Sequence, residues 1–349
     1  YYIMGKNNLT LNLLKKLENE NIDPIIKYKN IGNVYQKIKE PIIAIKYFNK
    51  SLSYEPNNSE IYANIGYSYL FINKDNISKN YLKKSIKLDK YNDLGYAGLG
   101  NIYYKQKDYF NALINYNRSL SINPKNDIAL LGMSNYFFKF NDYNKSNEYL
   151  KKSLNSNPYS PKAYRQKIEI LRLTQPDRVL NIIEKDVLNH PDIFIYKLFY
   201  SSLLIEKGDY NKSLIIMSEL INISSNGDPI LYSELGFIYS LKKDYNNSIE
   251  NYEKNIDLID TSKYNYSFYS CPYDGLGMLY YELGNDNLTI QNLEKTIYLK
   301  PNSKSNRYEI LIKLYLKHNN SEDAIRIARK WKEVNPIDYN LSKITHLIN

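Results

Sequence analysis

A glycine that returns every 34 residues constrains this chain more than any other feature. Gly32, Gly66 and Gly100 each sit in the frame Tyr-x-x-Ile/Leu-Gly-x-x-Tyr, running Tyr28 to Tyr35, Tyr62 to Tyr69 and Tyr96 to Tyr103. A second frame follows each: Ala44, Phe48 and Ser51 before Pro56, then Leu82 and Ser85, then Ala112, Tyr116 and Ser119 before Pro124. Self-similarity at such a period marks an array of stacked supersecondary pieces. The three- and four-residue spacing inside each frame is helical, so each repeat is predicted to be a helix A and a helix B. A small residue in helix A, and Ala44 or Ala112 in helix B, lets the two approach closely while large neighbours fill the remaining space. The proline after helix B stops it, because it cannot continue the hydrogen-bond ladder.

The frame continues as Leu130-x-x-Met133-Ser134-x-x-Phe137, then as Tyr232 to Tyr239 around Gly236 and Tyr273 to Tyr280 around Gly277. A last copy runs from Tyr308 to Tyr315, with Ala324, Ala328 and Trp331 behind it. Asp108, Asp142, Asp209 and Asp244 precede an aromatic residue in the A-to-B turns, where aspartate caps helix B. Between Pro158 and Pro229 two repeats are degenerate: Ile168 replaces the small residue in one and Ser201 stands there in the other. Looser packing is expected at that centre, and with it a hinge or local unfolding. From Gly236 to Gly277 the spacing is 41 instead of 34, placing an insertion at 261–272 with Tyr264, Tyr266, Phe268 and Tyr269 on it.

The order aromatic, Leu-Gly, Tyr, Ala, Phe, Ala, Pro resembles the tetratricopeptide repeat, over residues 25 to about 337. The resemblance implies an all-α, right-handed superhelical solenoid of about nine stacked antiparallel helix pairs. The expected organisation is an N-terminal helix within 1–24, repeats one to four over 25–160 and degenerate repeats five and six over 161–228. Repeats seven to nine follow over 229–337, with a capping helix over 338–349.

At 349 residues the chain exceeds one ordinary core, which a repeat array accommodates. Apolar residues are 43% and no apolar run is long enough for a transmembrane helix. The one cysteine, Cys271, excludes an intramolecular disulfide framework and a cysteine-based zinc site. His190, His318 and His346 are scattered and form no nucleophile or metal pattern, and the frame glycines lie within helices instead of phosphate-cradling turns. No metal, no cofactor and no enzyme activity are expected. The 38 tyrosines and abundant asparagines match AT-rich coding. The net charge of +10 is dispersed over outward helix faces and turns, densest at Arg326, Arg329, Lys330 and Lys332. The chain begins at Tyr1 with Met4 inside, so a removed leader is compatible with it; the cytoplasm is the favoured compartment.

The expected function is a protein-interaction scaffold or adaptor holding a protein or peptide partner in the concave groove that helices A line. From the frame, that face carries Lys29, Asn33, Asn64, Tyr67, Ala97, Asn101, Leu131 and Asn135. Some similar proteins grip a C-terminal carboxylate with a Lys, two Asn and a further cationic pair. Lys29, Asn33 and Asn64 match the first three, whereas Leu94 and Gly98 stand at the cationic positions. Asn33, Asn101 and Asn135 are also similar to an asparagine ladder that holds a peptide backbone. Self-association is compatible with such a face. Two other readings are weighed: a repeat arm of a larger enzyme such as a glycosyltransferase, and an RNA-binding helical repeat. The 34-residue period and the Gly/Ala columns argue against the second, so no nucleic acid is expected.

Overall fold

The computed structural model describes residues 14, 16–19, 21–38, 40–224, 228–258 and 270–336. Of the N-terminal helix, Leu14 and residues 16–19 are helical. The expected capping helix at 338–349 and Tyr264, Tyr266, Phe268 and Tyr269 of the insertion lie outside the described residues.

From Pro24 the described chain alternates helix A with helix B and contains no strand. The pairs are α1 (Pro24–Lys37) with α2 (Pro41–Tyr54), α3 (Ser59–Phe71) with α4 (Asp75–Leu88), and α5 (Asp93–Lys105) with α6 (Tyr109–Ile122). Next come α7 (Asp127–Lys139) with α8 (Tyr143–Ser156), then α9 (Pro161–Thr174) with α10 (Val179–Asn189), followed in the chain by α11 (Phe194–Glu206) and α12 (Tyr210–Ile223). The last are α13 (Pro229–Leu241) with α14 (Tyr245–Leu258), α15 (Ser270–Glu282) with α16 (Asp286–Leu299), and α17 (Ser305–Lys317) with α18 (Ser321–Val334). The chain divides into two compact units, residues 1–204 with 223–225 and residues 205–222 with 226–349. This boundary falls inside the degenerate stretch 161–228.

In repeats one to four each helix A packs on its own helix B and on the next helix A. The glycines explain the fit. A Cβ on Gly32 would lie 2.6 Å from the Phe48 ring, and one on Gly100 would lie 2.5 Å from that of Tyr116. Leu82 and Tyr116 are also clamped from their other side: a Cβ on Gly98 would meet Leu82 at 2.8 Å, and one on Gly132 would meet Tyr116 at 2.3 Å. Tyr116, Phe48 and Leu82 are fully buried or nearly so. Close packing at both faces leaves no room for a methyl group, which is why two glycines flank one ring. Serines in the second small column tighten the pair further, as Ser78 Oγ donates to the Gly66 carbonyl at 2.7 Å and Ser146 Oγ to the Ser134 carbonyl at 2.9 Å.

The A-to-B turns share one device. Asn73, Lys107 and Asn141 take left-handed φ values of 59°, 64° and 61°, and the following N–H closes back onto the carbonyl of Tyr69, Tyr103 or Phe137 at 3.0, 2.9 and 3.0 Å. This is the six-to-one closure that ends a helix. Asp108 and Asp142 then cap helix B as expected, accepting from the N–H of Asn111 and Lys145 at 3.2 and 3.1 Å. In the first degenerate repeat, α10 has 11 residues against 14 in the other helices B and is preceded by a 3-10 turn at Pro176–Arg178. Ile168 is buried there, and Tyr164 stacks on Tyr196 with ring centroids 4.0 Å apart.

The C-terminal unit repeats the logic. Tyr252 lies between Gly236 and Gly275, whose added Cβ atoms would come within 2.8 and 2.3 Å of its ring. Gly277 faces Leu293 in the same way at 2.5 Å, and Ser248 Oγ donates to the Gly236 carbonyl at 2.7 Å. Tyr308 and Trp331 stack in the last pair, with centroids 5.8 Å apart and both side chains buried.

Candidate partner-binding faces on helices A

The residues one past the frame's small position form a column along the helices A. In the N-terminal unit this column reads Asn33, Tyr67, Asn101 and Asn135, all half-buried. Asn33 Oδ1 accepts from Asn64 Nδ2 at 3.3 Å, and Asn64 is itself 6% exposed, so it supports Asn33 from below. Gln36 continues the network by donating from Nε2 to the Asn64 carbonyl at 2.9 Å and to Ser68 Oγ at 3.0 Å. Tyr116 OH donates to Asn101 Oδ1 at 2.8 Å, so the amide anchors the clamped ring. Asn135 contributes its backbone carbonyl, which accepts from Tyr104 OH at 3.1 Å.

The amides therefore spend their oxygens inward. The Nδ2 groups of Asn33 and Asn101 donate to no described residue and are left as donors on this face. Tyr67 lies across Gly98, where an added Cβ would come 3.1 Å from Tyr67 Cε2. Its hydroxyl is buried with no hydrogen-bond partner among the described residues, and burial pushes the phenol well above its usual pKa.

Lys29 is engaged with Glu60, Nζ to Oε2 at 3.0 Å. Of the carboxylate-clamp positions, the first cation is paired within the fold, and Gly98 is a packing residue with no space for a lysine. Sequence reasoning missed Gln36, Ser68 and Tyr104, because nothing in the repeat frame marks them. Gly98, Gly132 and Gly275 carried a legible signal, a glycine two places before the frame's small residue.

The C-terminal unit holds a groove of about 590 Å³ along α13, α15 and the start of α17. The column that shows asparagines earlier shows Phe237, 46% exposed, and Met278 here, and both line the groove with Leu241. Arg307, 8% exposed, grips Asp274 with both arms, Nε to Oδ1 at 2.6 Å and Nη2 to Oδ2 at 2.8 Å. Such a bidentate pair satisfies both partners and fixes the neighbouring helices A in register. Glu234 also lines the groove, and burial raises its carboxyl above the usual range. Ser270, Cys271 and Pro272, the end of the expected insertion, open α15. Among the described residues no group of three His, Cys, Asp or Glu side chains is placed to hold a metal, and no helix is long and apolar enough to cross a membrane.

Two sequence models of the tetratricopeptide repeat match the chain, one over residues 94–126 and the other over 28–58, 59–92 and 230–260. No curated protein sequence matches it. Solved structures similar to it include the Cut9–Hcn1 hetero-tetramer of APC/C, at 15% identity and a TM-score of 0.48, covering 97% of this chain and 79% of that one. MamA is another, at 21% identity and a TM-score of 0.31, covering 43% of this chain and 85% of that one. With the glycine-clamped helix pairs described above and the matches over residues 28–92, 94–126 and 230–260, the chain carries tetratricopeptide repeats.

Proposed function

We propose that the protein is a non-catalytic scaffold that holds a protein or peptide partner against its helix A faces. The observation that carries this reading is the column after the small residues: Asn33 and Asn101 offer amide donors that no described residue uses. A donor row on a packed backbone suits an extended segment, whose carbonyls repeat regularly and need partners when dehydrated. Lys29, Asn64, Tyr67 and Asn135 belong to the same face, with Lys29 and Asn64 shaping it through their own pairings. The insertion around Tyr264, Tyr266, Phe268 and Tyr269 is proposed as a second contact, since additions to a regular array often carry function.

The test is affinity capture from native extract with three baits: wild type, Asn33→Ala/Asn101→Ala/Asn135→Ala, and Lys83→Ala/Lys87→Ala on the outer face of α4. Loss of the same bound proteins in the first variant alone is expected. Loss only in the α4 variant would place binding on the other side of the stack and refute the assignment.

A further inference from the structure

We propose that the groove of the C-terminal unit takes an apolar peptide segment carrying one lysine or arginine, whose cationic head pairs with Glu234. This rests on the scaffold reading above and narrows it to a partner chemistry.

Position comes first. Glu234 stands two residues before the frame glycine Gly236, the place that Gly98, Gly132 and Gly275 fill in other repeats. That place faces the stack: added Cβ atoms on those glycines would meet Leu82, Tyr116 and Tyr252 within 2.8 Å. At 234 the residue is a carboxylate, half-buried and lining the groove.

Charge matching comes second. The neighbouring acid in the groove, Asp274, is fully matched by Arg307. Glu234 has no hydrogen bond and no ion pair with any described residue, and its lining neighbours include Phe237, Leu241 and Met278. Lys304 and Glu282 sit exposed on the rim, and Lys304 makes no ion pair with Glu234. An unpaired carboxylate in apolar surroundings is costly to keep, and a partner cation removes that cost on binding. The apolar walls supply area for the aliphatic stem of lysine or arginine and for flanking hydrophobic residues. Neutral or acidic segments would cover the half-buried carboxylate and leave it unmatched, which gives selectivity by exclusion.

The experiment selects twelve-residue peptides from a random display library on the immobilised full chain, then titrates fluorescein-labelled winners by anisotropy. Winners are expected to contain one lysine or arginine flanked by aliphatic or aromatic residues. Binding should weaken about thirtyfold on Glu234→Gln, and by a similar factor when the peptide's cation becomes norleucine. The two changes together should cost little more than either one. The peptide-side change leaves the protein untouched, so a folding defect in the variant cannot mimic the result. Peptides that bind with no cation, or that ignore both Glu234→Gln and the norleucine exchange, overturn the proposal. If those peptides are lost instead on Asn33→Ala/Asn101→Ala, the scaffold reading stands while this inference falls. Recovery of no binding peptide overturns both.

Discussion

In repeats three and four the residue after the small position is Asn101 or Asn135, whereas in repeats seven and eight it is Phe237 or Met278. Beneath that column the two units are built alike. Tyr116 sits between Gly100 and Gly132, and Tyr252 between Gly236 and Gly275, at nearly the same closeness. The difference teaches that packing fixes the floor and leaves the lining free. A floor residue touches two helices A at once, so its size is dictated by backbone separation. A lining residue meets solvent or a partner, and the same scaffold can carry amides in one unit and an apolar groove with a carboxylate in the other.

The largest test of the shared floor is Tyr116→Ala against Tyr252→Ala. Each should cost about 3–5 kcal/mol through the cavity it leaves. Because repeat stability is close to a sum of nearest-neighbour terms, hydrogen exchange should rise chiefly in the unit that carries the change. Equal loss of protection in both units would break the comparison. Next is Gly98→Ala, whose new methyl would press on Leu82 and Tyr67; a loss of about 1–3 kcal/mol in urea unfolding is expected, and a neutral result would show the clamp to be slack.

The lining is sharpened by setting Asn101→Ala beside Phe237→Ala. Removing the Asn101 acceptor strands the buried Tyr116 hydroxyl and should cost about 1–3 kcal/mol. Phe237 is 46% exposed, so its truncation should cost under about 1 kcal/mol while weakening any partner of the groove. Glu234→Gln adds a pH signature. Burial raises the Glu234 carboxyl, so the site's contribution is fully present below the ordinary carboxylate range and is lost as pH rises through the raised value. The melting temperature of Glu234→Gln should therefore match wild type near about pH 4 and exceed it increasingly toward neutrality. A difference that shrinks with pH would contradict the assignment. The smallest effect belongs to Lys29→Ala, because its exposed pair with Glu60 should contribute about 0–1 kcal/mol.

The helix pairs were legible from the chain because close packing demands small residues at fixed intervals, and Gly32, Gly66, Gly100, Gly236 and Gly277 record that demand directly. Asp108 and Asp142 announced their caps for a similarly local reason. Lys107 and Lys243, both left-handed in A-to-B turns with φ of 64° and 59°, gave no such notice, since lysine carries no preference for that conformation. The face of Asn33 and Asn101 could be placed from the frame, yet their hydrogen-bond partners could not, as Asn64 and Tyr116 lie 31 and 15 residues away.

By itself, then, the sequence determined the period, the helical class and the identity of the residues that must be small. Tertiary structure alone decided which polar groups are spent inside the fold. Lys29 met Glu60 and Arg307 met Asp274, while Glu234 met no partner among the described residues. The physical reason is that periodicity reports how a helix packs along one axis, whereas the fate of a charge depends on side chains that neighbouring repeats bring beside it.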